Sequence, residues 1–100
     1  MVQATTPTFV LTLPQTVDLS EAHNVYFTFE QAGRKITKTG ESLSIDSNEV
    51  TVSFTQAETV LMVVGMAMLQ LNWTYSDGSR ACSNIVSLEV TRNLLNEVLA

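Results

Sequence analysis

The chain has 100 residues, of which 45% are hydrophobic and 15% charged, and its formal net charge at pH 7 is −5. This length suits one domain with a core of its own, and the negative charge argues against a nucleic-acid partner, because such partners require clustered Lys and Arg. With so few charges, Thr, Ser, Asn and Gln must cover much of the surface, and these residues favour strands and turns over helix exteriors.

The first half of the chain predicts five short strands. Apolar and polar residues alternate with a period of two, and turn residues such as Pro14 and Gly33 bound the alternating runs. The predicted strands are residues 8–13, 24–31, 34–39, 42–46 and 49–54. Ile36 is the one apolar residue of the third strand, so we expect that strand at a sheet edge or on a solvated face.

Residues 60–69, VLMVVGMAML, are the most apolar stretch of the chain. A helix needs about 20 apolar residues to span a membrane, so this stretch predicts core and no membrane partner. Just before it, Thr55 and Glu58 fit a capping box and predict a helical turn near 56–61. Gly65 then favours a bend, and the alternation from 66 to 75 predicts a long strand.

The predicted strand 66–75 has two alternating faces. One carries methionines and polar residues, and the other carries Ala67, Leu69, Leu71 and Trp73. The period of two defines these faces but leaves open which one is buried, because a slip of one residue exchanges them. After this strand, Asp77-Gly78 predicts a hairpin into a last strand over 80–91.

Together these elements predict an all-β fold, an antiparallel Ig-like β-sandwich of about seven strands with one short helical turn near 56–61. It would form a single domain over 1–100, in which residues 1–7 and 92–100 are flexible or docking segments. The spacing of apolar residues in NLLNEVLA also allows a short C-terminal helix, although so short a helix is not stable alone in water.

Two sets of residues are candidates for function. A docking interface could use the apolar residues of the tail and three methionines: Leu94, Leu95, Val98, Leu99, Met62, Met66 and Met68. A ligand-binding surface could use the aromatic residues Tyr26, Trp73 and Tyr75. For both sets, packing in the core is the competing interpretation, since apolar and aromatic residues fill the interior of most sandwiches.

No arrangement of residues predicts catalysis. His23 is the only histidine and Cys82 the only cysteine, and we expect the first to be exposed in a loop and the second to be at least half-buried. Neither metal-ligand spacing nor a glycine-rich phosphate loop occurs. We therefore expect a non-enzymatic protein with no catalytic residue, metal site or cofactor.

Five segments carry a resemblance to a known family. In chain order they read ATTPTFVLTLP, VYFTFEQAGRKITK, VTVSFTQAETVLM, LQLNWTYSDGSRACSNIVSLEV and LLNEVL. They cover the chain nearly end to end, and they resemble small prophage proteins encoded in tailed-phage regions of gut Firmicutes genomes. The order of strand, Thr-Gln-x-Glu-Thr turn, strand, Asp-Gly hairpin and strand is also similar to the Ig-like N-terminal domains of phage baseplate or receptor-binding-protein adaptors.

This resemblance implies a structural or assembly protein of the virion, located there after synthesis in the bacterial cytoplasm. It would be a tail, baseplate or other accessory subunit that docks to other virion proteins or to itself, as a homo-oligomer or on an oligomeric ring. Neither nucleic acid nor membrane is expected as a partner. The alternative function, from a different class, is a small binding module for carbohydrate or for a host surface protein.

Overall fold

Two antiparallel β-sheets pack face to face in the structure, a computed structural model that describes residues 1–100. The strands are β1 (Thr8–Thr12), β2 (Asn24–Gln31), β3 (Arg34–Thr39), β4 (Leu43–Asp46), β5 (Glu49–Ser53), β6 (Gly65–Thr74), β7 (Arg80–Cys82) and β8 (Val86–Val90). The smaller sheet has the order β1-β5-β4, and the larger has the order β3-β2-β6 with β7 and β8 both paired to the other side of β6. The predicted antiparallel β-sandwich is confirmed, with the polar strand β3 at a sheet edge as expected.

The strand pairing follows the pattern of an Ig domain. In such domains strands A, B, E and D form one sheet, and C, F and G form the other. In this chain β1, β5 and β4 pair as B, E and D do, and β2 and β6 pair as C and F do, with β7 and β8 in the place of G. No strand takes the place of A beside β1, which leaves one side of β1 unpaired.

The last strand was expected to be continuous over 80–91, but it is split into β7 and β8. Ser83, in the gap, bonds to β6 in a different way from its neighbours. Its N–H donates to the carbonyl of Leu71 at 2.9 Å, and its hydroxyl oxygen accepts from the N–H of Leu71 at 2.9 Å. The Ser83 side chain thus replaces a backbone carbonyl as the acceptor for β6, and this interrupts the strand. The domain therefore has eight strands, where about seven were predicted.

The pairing of β2 with β6 decides which face of β6 is buried. Val25, Phe27 and Phe29 lie opposite Trp73, Leu71 and Leu69. Both sets therefore share one face of the larger sheet, and that face packs against the smaller sheet. The buried hydrophobic residues are Leu13, Leu19, Val25, Phe27, Phe29, Leu43, Val50, Val52, Phe54, Met62, Ala67, Leu69, Leu71, Trp73 and Val90.

The predicted helical turn is confirmed as α1 (Gln56–Thr59). Its capping box is complete, because the Thr55 hydroxyl accepts from the Glu58 N–H and the Glu58 carboxylate accepts from the Thr55 N–H. Two 3₁₀ turns, Leu19–Glu21 and Gly40–Ser42, complete the helical structure. Thr59 is fully buried and donates its hydroxyl hydrogen bond to the carbonyl of Thr5 at 2.7 Å, which ties α1 to the N-terminal residues.

The first residues of the chain are bonded to the outer edge of β8. Val2 forms a parallel bridge with Thr91, and the N–H of Gln3 donates to the carbonyl of Thr91 at 3.1 Å. The terminal amine of Met1 donates to the carbonyl of Glu89 at 2.9 Å. The chain then crosses to Thr8, and no strand pairs with the other side of β1.

The predicted C-terminal helix is wrong, because residues 92–100 contain no helix. Hydrogen bonds that each involve a polar side chain hold this tail instead. The Asn93 side chain donates to the carbonyl of Gln3 at 2.9 Å, and the Gln56 side chain accepts from the N–H of Leu99 at 2.9 Å. One or two turns of helix cannot recover the entropic cost of nucleation, so these contacts determine the conformation.

The turn between β2 and β3 provides a test of backbone strain. Its central residues Ala32 and Gly33 both have positive φ, 49° and 79°, a conformation that costs a residue with a Cβ roughly 1–2 kcal/mol. Asn-Gly is the preferred pair in such turns. We therefore expect Ala32→Asn to raise the free energy of unfolding by about 0.5–1 kcal/mol, measured by urea denaturation.

The matched control is Gly33→Ala, which places a Cβ at the other positive φ and should lower the free energy of unfolding by about 1 kcal/mol. A lower stability of Ala32→Asn would mean that the turn does not strain residue 32.

Candidate functional site

An open apolar groove runs along the unpaired side of β1, between β1 and the split strand β7–β8. Its volume is about 610 Å³. The lining residues are Phe9, Val10, Leu11, Thr12, Leu13, Pro14, Val17, Leu69, Leu71, Trp73, Cys82, Ser83, Asn84, Val86 and Leu88, none of which is charged. No local pattern in the sequence predicts this groove, because it depends on how the two sheets pair and pack.

The groove exists because the two sheets differ in width. β7 and β8 extend the larger sheet beyond β6, whereas the smaller sheet ends at β1. Val86 and Leu88 pair opposite Leu69 and Ala67, so they lie on the inner face of the sheet. Val86 nevertheless remains 50% exposed, because no strand covers it.

A second apolar surface lies on the outer face of the larger sheet. The candidate interface residues Met66 and Met68 are exposed there. Ile85, which lies beside Met68, and Val64, just before β6, are exposed as well. The structure therefore leaves two of the three candidate methionines accessible to a partner.

The third candidate methionine, Met62, is buried in the core, so its assignment to an interface is wrong. Two buried glutamines hold the loop that carries it. The Gln3 amide donates to the carbonyl of Met62 at 2.7 Å. The Gln31 side chain donates to the carbonyl of Val63 at 2.7 Å and accepts from its N–H at 3.1 Å. These bonds turn Met62 inward, and they join residues that are far apart in the sequence.

The tail exposes its apolar residues to solvent. Leu94 is 88% exposed, and Leu95, Val98 and Leu99 are each more than half exposed. The tail lies against α1 and the loop that follows it, where Asn96 donates to the carbonyl of Val60 at 3.4 Å. All four tail residues that were candidates for docking are therefore accessible.

The three candidate aromatic residues do not form a shared ligand-binding surface. Trp73 is buried, and its indole N–H donates to the hydroxyl of Tyr75 at 3.0 Å. Tyr26 is half-buried and pairs opposite Asn72, so it lies on the other face of the larger sheet from Trp73. Trp73 therefore cannot act as an exposed stacking surface for a sugar ring.

His23 is exposed, as expected, whereas Cys82 is exposed contrary to expectation, because it lies opposite Asn72 on the outer face of a short edge strand. The hydroxyl and N–H of Ser20 lower the pKa of Asp18, and those of Ser79 lower the pKa of Asp77. No three His, Cys, Asp or Glu residues cluster as a metal site.

Glu58 forms the one partly buried ion pair. The Lys38 ammonium lies 2.8 Å from its carboxylate, donates to the carbonyl of Ser53 at 2.7 Å, and sits 4.9 Å from the centre of the Phe54 ring. Partial burial raises the pKa of Glu58, but hydrogen bonds from Lys38 and Thr55 outweigh it, and the net pKa is lower than the usual 4.5. The pair joins edge strand β3 to α1.

No helix of the domain has the length and apolar character needed to cross a lipid bilayer. Comparison of the chain with models of known protein families gives no match, and comparison with curated proteins gives no significant match.

Ser83 provides a test of the groove wall. Ser83→Ala removes the acceptor for the N–H of Leu71, a residue with no exposed surface. An unpaired buried N–H costs about 1–3 kcal/mol, so we expect the free energy of unfolding to fall by that amount in urea denaturation. The control Ser87→Ala, at an exposed position of β8, should change it by less than about 0.5 kcal/mol. Equal effects of the two variants would contradict this account of the split strand.

The Glu58–Lys38 pair provides a test of pH dependence. Glu58→Gln retains a capping oxygen but removes the charge, so we expect the free energy of unfolding at neutral pH to fall by about 1 kcal/mol. Because the pKa of Glu58 is lower in the folded state, its contribution is present above pH 4.5 and is lost as the pH falls through the folded value. The difference in the free energy of unfolding between the native chain and Glu58→Gln should therefore shrink as the pH falls below 4.5.

The matched control is Glu30→Gln, because the Glu30–Lys35 pair is exposed on both sides. Its effect should stay within about 0.5 kcal/mol. If the effect of Glu58→Gln were the same at pH 3 as at pH 7, the ion pair would not be its source.

Proposed function

We propose that this chain is a non-enzymatic structural or assembly protein of a phage or prophage virion, a tail, baseplate or other accessory subunit that acts by protein–protein docking. The observation that carries the proposal is the combination of an uncharged apolar groove with an unpaired strand edge. Such an edge offers a row of free backbone donors and acceptors to an incoming chain.

The four edges of the sandwich differ in how they are protected. Natural sheets block unwanted pairing with charges on exposed edge strands. β3 carries Arg34, Lys35 and Lys38, β4 carries Asp46, and β7 and β8 carry Arg80 and Glu89. β1, with the sequence TFVLT, carries no charge. An unprotected edge supports docking at this side of the domain.

The exposed apolar residues also support docking. Besides the groove, the domain exposes the tail leucines, Met66 and Met68, and the loop residues Leu61, Val63 and Val64. A soluble monomer rarely exposes extended apolar surface without a partner for it. Self-association, or binding to another virion protein, would cover these residues.

The assignment to a virion comes from the resemblance of the five quoted segments to small prophage proteins. The β-sandwich is the fold that this resemblance implies. The alternative, a small binding module for carbohydrate or for a host surface protein, receives less support because Trp73, one of its three candidate aromatic residues, is buried and faces away from Tyr26.

Particles released after induction of the prophage provide the test. We expect mass spectrometry to find peptides of this chain in gradient-purified particles at a fixed ratio to the major tail protein. Deletion of the coding sequence should yield particles that lack one component in electron micrographs, and re-expression of the chain should restore it. If the chain remains in the soluble lysate and deletion leaves particle yield and structure unchanged, the proposal is wrong.

A further inference from the structure

We infer that the groove beside β1 is the acceptor site for the C-terminal segment of a second copy of this chain, with residues 94–99 of one copy added as a strand along β1 of the other. The inference rests on the docking function proposed above, and it identifies the partner and the two surfaces that meet.

The geometry of the groove suits a single strand. A strand paired to β1 would lie about 4.8 Å from it, over the inner face of β7 and β8, in the place that strand A has in Ig domains. A complete second sandwich cannot pair there edge to edge. The larger sheet of the second copy would lie about 10 Å from the smaller sheet of that copy. It would therefore clash with β7 and β8 of the first copy, which already occupy this space.

The tail matches the groove in length and polarity. Six residues of strand span roughly 20 Å, and residues 9–14 of the groove are also six in number. As a strand, the tail presents Leu94, Asn96 and Val98 on one face, and Leu95, Glu97 and Leu99 on the other. With the first face inward, Asn96 is the central residue and Glu97 points to solvent, so no charge enters the groove.

The polar residues of the groove wall provide a partner for that asparagine. Ser83 and Asn84 interrupt the apolar wall between β7 and β8. A buried amide needs hydrogen-bond partners. Ser83 is already bonded to Leu71 and Gln70 of β6, so the partner would be the exposed side chain of Asn84, which makes no hydrogen bond within the domain. Leu94 and Val98 would then contact the apolar residues on either side.

The structure indicates that the tail in the groove comes from a second copy and not from the same chain. Asn93 is bonded to Gln3, and Leu99 to Gln56 of α1, neither of which lines the groove. In addition, Met1 and Gln3 are bonded along the outer edge of β8, beside the point where the tail begins. The tail of the free chain is therefore directed away from its own groove.

The tail can leave its present position at small cost. Every hydrogen bond made by residues 94–99 involves a side chain, of Asn93, Gln56 or Asn96, and the apolar residues of the tail gain little burial in the free chain. Each copy then has one groove and one segment. Such complementary surfaces produce a reciprocal dimer, a head-to-tail ring or, where the rotation does not close, an open filament.

The first experiment compares the mass of full-length variants by light scattering. Val86→Lys places a charge inside the groove, and Val98→Asp places one on the inward face of the tail. Both residues are at least half exposed, so both variants should fold. The matched controls are Ile85→Lys, next to Val86 but on the outer face of the larger sheet beside Met68, and Ile45→Asp, at an exposed position of β4 that lies outside the groove and the tail. We expect multimers from the native chain and both controls, and monomers from the two test variants at the same concentration.

The second experiment uses Trp73, the only tryptophan, which lines the groove. A synthetic peptide of residues 93–100 is added to the full-length Val98→Asp variant, whose groove is free. We expect the peptide to shift the emission of Trp73. Adding Val86→Lys to this variant should weaken peptide binding at least about tenfold, because a buried unpaired charge is costly, whereas adding Ile85→Lys should not.

Three results would overturn the inference. The native chain could be a monomer at all concentrations; Val98→Asp could dissociate the multimer while Val86→Lys does not, which would place the tail on another surface; or the peptide could fail to bind. In each case the particle experiment still decides the virion proposal separately. Conversely, a multimer that forms through the groove but is missing from particles would refute the virion proposal alone.

Discussion

The register between β2 and β6 is the constraint on which the rest of the structure depends. It places Phe27 opposite Leu71 at the centre of the larger sheet, and neither residue retains exposed surface. Phe54 of the facing layer contacts Phe9, Phe27 and Phe29 edge to face, with ring centres 5.8 to 6.1 Å apart. A slip of β6 by one residue would move Leu69, Leu71 and Trp73 to the solvent face, so this register also determines which surfaces remain for a partner.

The unequal width of the two sheets follows from the path of the chain. The N-terminal residues bond to the outer edge of β8 and then cross to β1, which therefore has a partner on one side only. At the opposite edge, Lys38 of β3 bonds to Glu58 and to the carbonyl of Ser53, so an ion pair bridges β3 and α1. One side of the sandwich thus carries charged side chains, whereas the groove on the other side has none.

The candidate residues divide into those that hold the domain together and those available for contact. Met62 and Trp73 belong to the first group, and Met66, Met68 and the tail residues belong to the second. The residues that line the groove serve both purposes, since Phe9, Leu11 and Leu88 pack on the core with one side and face the groove with the other. Changes at these positions would affect stability and docking together, whereas Val86 and Ile85 separate the two effects.

The amino-acid sequence by itself determines the elements that depend on neighbouring residues: the alternating strands β2 and β3, the capping box at Thr55, and the turn at Asp77-Gly78, where the N–H of Tyr75 bonds to the carbonyl of Ser79. Only the tertiary structure decides the buried face of β6, the inward turn of Met62, the split at Ser83, the absence of a C-terminal helix and the groove beside β1. Each of these depends on contacts between residues distant in the chain, such as Gln3 with Met62, and a local pattern contains no information about such contacts.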